Sequence, residues 1–168
     1  MFENLGDILL HVEARILTEL DQALADATKG GKGRDEIRQF VDAYVDFACG
    51  HARLWSLITQ HQPDRTVSIP EWYREQVRAP QLRLEEILSR TFPGSSTDDT
   101  RRVAQGMWTA LHGLIQVAMT SKFGTLQRPA IVKMAQDLID GMLATFGRNI
   151  ETTRTPRRTE SRAANAAE

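Results

Sequence analysis

Apolar residues recur every three to four positions through nearly the whole chain, and no stretch alternates polar with apolar for long enough to form a half-buried strand. That period restricts the chain to an all-α fold whose helices each turn one stripe toward a shared interior. The first helix spans Leu5 to Ala27, with Ile8, Val12, Ile16, Leu20 and Leu24 on its stripe, and stops at Lys29-Gly30-Gly31-Lys32-Gly33. A second, from about Asp35, carries Ile37, Phe40, Val41, Tyr44, Val45 and Ala48 and breaks near Gly50. Ala52 to Gln60 forms a short helix with Leu54, Trp55, Leu57 and Ile58, closed by Gln62-Pro63-Asp64-Arg65.

Pro70 suits the first turn of a third long helix in which Trp72, Tyr73, Val77, Leu84, Ile87 and Leu88 face inward. Pro80 lies inside it and is expected to kink or divide it, opening space alongside. After Phe92-Pro93-Gly94, Ser96-Thr97-Asp98-Asp99 supplies an N-cap and an acidic first turn for a helix running to about Ser121. Its inward face holds Val103, Met107, Trp108, Leu111, Leu114, Ile115 and Ala118. Pro129 opens the last helix, whose Ile131, Met134, Ala135, Leu138, Ile139, Met142, Leu143 and Phe146 form a wide apolar stripe with Gly147 as the expected C-cap. The pattern therefore predicts about six helices in one domain over residues 1–150.

Residues 151–168 contain no large apolar side chain and cannot bury enough surface to offset their ordering entropy, so they read as a disordered polar tail. Its arginines, Arg154, Arg157, Arg158 and Arg162, read as solvated rather than as a nucleic-acid contact. The 168 residues are 41% hydrophobic and 26% charged with a net charge of -1, a balance that gives no reason for nucleic-acid or membrane binding by this chain. Cys49 is the only cysteine, which excludes an intramolecular disulfide and suits the cytoplasm. No apolar run approaches the roughly 18 residues needed to span a bilayer, and no secretory pattern opens the chain.

Chemistry-bearing motifs are sparse. His11, His51, His61 and His112 never pair at the i, i+4 spacing that sets two metal ligands on one helical face, and no CxxC or HExxH occurs. Gly30-Gly31-Lys32-Gly33 follows a helix rather than a strand, which disfavours a phosphate cradle. Cys49 and His51 are two residues apart and do not face each other on a helix, so Cys49 reads as a core residue. Neither a metal, a cofactor nor a catalytic residue is expected. A more specific signal is Met107-Trp108-Thr109-Ala110-Leu111-His112-Gly113-Leu114-Ile115. Trp108 and His112 lie one turn apart on one face, and a mid-helix glycine at 113 costs about 1 kcal/mol against alanine, so something should approach the backbone there. A close helix contact explains this; so does a pocket in which a ligand stacks on the indole and hydrogen-bonds the imidazole.

Trp108, three intervening residues and His112-Gly113 within the next-to-last helix resemble a motif of TetR-family transcriptional regulators. The opening Phe2 and Asn4, followed by a helix from Leu5, resemble that family's junction between a helix-turn-helix head and its helical body, with Gly6 standing where an acidic residue is usual. The order of helices and the Pro70-Trp72 start extend the resemblance from Phe2 to Arg148. It implies a C-terminal domain whose last two long helices pack with a second copy as a four-helix bundle, while the preceding helices enclose an effector pocket. Apolar faces too wide for one neighbour point the same way, with Leu111, Leu114, Ile115, Met134, Leu138, Gly141, Met142 and Phe146 as the expected homodimer interface.

Amphipathic aromatics with a few polar groups make a pocket, and Tyr44, Phe47, His51, Trp55, Trp72, Met107, Trp108, His112 and Met119 are the candidate lining. They suit a mainly apolar or aromatic small molecule. The expected function is thus the ligand-sensing and dimerisation body of a TetR-type repressor whose DNA-binding head precedes Met1. In that mechanism, ligand shifts the first helix and alters the spacing of two heads on an operator. Two alternatives stand beside it: a head-less sensor or inhibitory partner of a full-length regulator, and a small helical enzyme using His112 or His51 as base. The enzyme is disfavoured because neither histidine has a carboxylate or nucleophile at suitable spacing.

Overall fold

The computed structural model describes residues 5–55, 69–119 and 126–154, and among them the backbone is helical with no strand. The helices are α1 (Leu5–Thr28), α2 (Gly33–Gly50), α3 (described over residues 52–55), α4 (Glu71–Thr91), α5 (Thr97–Ala118) and α6 (Arg128–Arg154). The expected junction at Phe2 and Asn4, the later part of the short helix with Leu57 and Ile58, and residues 155–168 of the expected tail lie outside the described residues.

Helix α2 is the hub, in contact with α1, α4, α5 and α6. Ile37, Phe40, Tyr44, Val45 and Ala48 have no exposed surface. Gly30 and Gly33 take φ of 80° and 60°, left-handed values that let the chain reverse between α1 and α2. On α1 the buried face departs from expectation. Leu10, Ala14 and Leu17 pack with Tyr73 of α4, and Ile16, Leu20 and Leu24 join the main core, whereas Ile8 and Val12 are exposed. Four residues turn a helix about 400°, so an unbroken i+4 ladder drifts about 40° per step and leaves the buried side.

Pro80 is buried inside α4, yet the helix runs uninterrupted from Glu71 to Thr91, with Pro70 as its N-cap rather than in its first turn. Side chains hold α4 to its neighbours along its length. Tyr73 Oη donates to Glu13 Oε2 at 2.6 Å, and Thr18 Oγ1 donates to Gln76 Oε1 at 2.9 Å. Arg83 grips Asp21 through two bonds of 3.0 and 2.9 Å, and Arg90 reaches Glu36 at 2.7 Å.

Ser96 caps α5 as expected, its hydroxyl accepting from Asp99 N–H at 3.1 Å. Helix α6 is laced to α2 by Arg38–Asp140, Gln136–Asp42 and Arg128–Asp46 bonds of 2.9, 2.7 and 2.7 Å. Gly147 does not end α6; the helix continues to Arg154, so residues 151–154 of the expected tail are helical. Phe146 is buried with its ring edge-on to Phe92 at 5.1 Å, and a Cβ at Gly147 would touch Phe92 at 3.5 Å. Packing against the α4–α5 corner thus holds the helix through the glycine.

Candidate functional site

Tyr44 lies at the centre of an aromatic box between α2, α3 and α5. Its ring meets Trp55 edge-on at 5.4 Å and Trp108 at 4.9 Å, and Trp55 in turn lies 5.4 Å from His112. Edge-to-face contacts of this kind add about 0.5–1.5 kcal/mol per pair beyond their burial. Tyr44 Oη sits 3.2 Å from His112 Nδ1. Trp108 and His112 come together because they are one turn apart on α5, and both are half-buried. Trp55 is buried at 2% exposure, and Met107, next to Trp108 on α5, belongs to the same buried core.

Burial sets the charge state here. It pushes the Tyr44 phenol far above its ordinary range and draws the His112 imidazole below its own. Near neutral pH both groups are uncharged, and in the tautomer with Nδ1 unprotonated the phenol O–H donates to Nδ1 and Nε2–H remains as a donor. Phe47 and His51, a turn apart on α2, stack at 4.3 Å, with His51 Nδ1–H donating to the Phe47 carbonyl at 2.9 Å. Met119 packs on the edge of the same core.

Trp72 is not part of the box. It is 37% exposed and lies against His11 of α1 at 4.7 Å, because the inward position of the first α4 turn is taken by Tyr73, 100° round the helix. Among the described residues no group of three or more His, Cys, Asp or Glu is placed to hold a metal ion, and no helix is long and apolar enough to cross a membrane.

The expected interface residues divide into two sets. Leu111, Ile115 and Phe146 are buried inside the protomer. Leu114 and Met142 are partly buried, while Met134, Leu138 and Gly141 face outward. The wide stripe on α6 is really two stripes: Ile131, Ala135, Ile139 and Leu143 inward, and Met134, Leu138, Gly141 and Thr145 outward. Val117, half exposed at the end of α5, belongs to the outer face and was not anticipated; its signal is its position one turn beyond exposed Gly113. Also unforeseen is Glu13, a carboxylate at 2% exposure whose place on the inward face of α1 was legible only with the correct helical drift.

A helical body with an aromatic, imidazole-bearing box inside and an apolar face outside is the architecture of a ligand-binding and dimerisation domain. A family model described as the tetracyclin repressor-like C-terminal domain matches residues 37–145, from the start of α2 to the last third of α6, and the chain belongs to that family. Domains of this family are parts of transcription regulators rather than enzymes. No curated protein and no solved structure matches the chain.

Proposed function

We propose that this chain is the effector-sensing body of a homodimeric, cytoplasmic transcriptional repressor that leaves DNA when a small, largely apolar or aromatic molecule enters the Tyr44–Trp55–Trp108–His112 box. DNA contact would come from a helix-turn-helix head joined to the start of α1. The observation that carries the reading is the Tyr44–His112 hydrogen bond enclosed by indole and phenol rings, within a domain of this family. A net gain of about 1 kcal/mol from such a bond is modest for two buried polar groups, whereas the same pair offers an effector a hydrogen-bonding point among stacking surfaces.

Tyr44 and Trp55 are buried whereas Trp108 and His112 are half-buried, so an effector would enter on the side of Trp108 and His112 and move α5 against α2. Because α2 also packs on α1, and the Glu13–Tyr73 and Asp21–Arg83 bonds tie α1 to α4, displacement at the box carries to α1 and thence to the head. Two of the three tryptophans, Trp55 and Trp108, report on the box directly. Titration with a panel of aromatic compounds should quench their fluorescence, His112→Ala should weaken the best ligand at least tenfold, and that ligand should release the head-bearing protein from its operator. If ligands bind equally well to His112→Ala and Trp108→Ala variants, the box is not the site.

A further inference from the structure

The outer face of α5 and α6 is lopsided. One end is raised: Val117, Met134 and Leu138 stand 50%, 45% and 41% exposed. The other end is recessed into a groove of about 870 Å³ between the start of α5 and the second half of α6, with Val103, Met142, Phe146 and Ile150 along it and Asp99 and Arg102 at its rim. Leu138, Gly141 and Thr145 also line this groove, so the raised and recessed ends are continuous along one helix.

Two glycines on this face relieve no crowding among the described residues of the protomer. Among the described residues a Cβ at Gly113 or Gly141 would meet nothing within 4 Å, whereas one at Gly106 would press on the Met142 methyl at 3.2 Å. Gly106 therefore serves the α5–α6 contact, but Gly113 and Gly141 weaken their helices without relieving any internal crowding. Such positions fit backbone that another molecule approaches closely.

We infer that a second copy of this chain packs on the face in one register, with Met134 of each copy seated in the other's groove beside Thr145, and Leu138 of each over Gly141 of the other. The inference rests on the homodimer reading above and adds its geometry. Met134, Leu138, Gly141 and Thr145 form one exposed stripe at spacings of four, three and four residues. A two-fold axis between Leu138 and Gly141 maps this series onto itself reversed, so large side chains oppose small ones at both pairs. In an isologous contact each such match occurs twice, and the raised end of each copy fills the recess of the other.

The test uses the full chain with Cys49→Ala, so that introduced cysteines are the only ones. Mixed Met134→Cys and Thr145→Cys proteins should form an intermolecular disulfide under mild oxidation. Met134→Cys alone should not, because eleven residues of helix put the two sites about 16 Å apart, beyond disulfide reach. Gly141→Leu should keep the helical circular dichroism, since its side chain meets open space in the protomer, and should weaken the dimer at least tenfold by analytical ultracentrifugation. A dimer that links Met134→Cys to itself, fails to link the mixed pair, or tolerates Gly141→Leu overturns this register while leaving dimerisation intact. A parent protein that is monomeric at tens of micromolar overturns both.

Discussion

Tyr73→Phe isolates one bond between α1 and α4. The hydroxyl donates to Glu13 Oε2 at 2.6 Å, and Glu13 is 2% exposed within a cluster of Leu10, Ala14, Leu17 and Tyr73. Removing the oxygen keeps the ring and its packing, so the loss is chiefly the hydrogen bond to a buried acid. Bonds to charged groups contribute about 1.5–3 kcal/mol. We therefore expect a loss of about 2 kcal/mol. At about 2–4 °C per kcal/mol for a chain of this size, Tm should fall by about 4–8 °C. Thr18→Val removes the exposed Thr18–Gln76 bond on the same pair of helices and should shift Tm by no more than about 2 °C. Differential scanning calorimetry of both variants, with Glu13→Gln and the Glu13→Gln/Tyr73→Phe double variant, closes a cycle that isolates the coupling. A Tyr73→Phe shift no larger than that of Thr18→Val, or additive single effects, would refute the claim that this bond couples α1 to α4.

His112 links stability to acidity. Burial lowers its folded pKa below the unfolded value of about 6.5, so the unfolded chain binds the extra proton first as pH falls. Its contribution is fully present above about pH 6.5 and declines as the pH drops toward the folded value; His112→Gln should flatten that part of a urea-derived stability profile, and an unchanged slope would count against a buried neutral imidazole. Leu111→Ala should cost about 2–5 kcal/mol by urea unfolding, because Leu111 has no exposed surface in the protomer. A cost under about 1 kcal/mol would place it on an outer face instead.

Much of the helical architecture was readable from the chain. The Ser96 cap, the acidic start of α5 and the three-and-four spacing of Met107, Leu111, Ile115 and Ala118 are local features, and local features survive folding. The Trp108–His112 pair was also legible, since residues one turn apart on a helix share a face wherever the helix goes. Its partnership with Tyr44, 68 residues earlier, was not, because pairing across helices depends on how they cross.

Sequence alone determined the fold class, the near-complete order of helices and the family resemblance, and it named Tyr44, Trp55, Trp108 and His112 among wider candidates that also included Phe47, His51, Trp72 and Met119. Tertiary structure decided which side of each apolar stripe turns inward. It buried Leu111, Ile115 and Phe146, exposed Val117 and Met134, sent Trp72 to His11, and carried α6 past Gly147 to Arg154. The physical reason is that periodicity records how much apolar surface a helix carries. Which neighbour covers each strip, and which strip is left for a partner, depends on crossing geometry that only the packed helices establish.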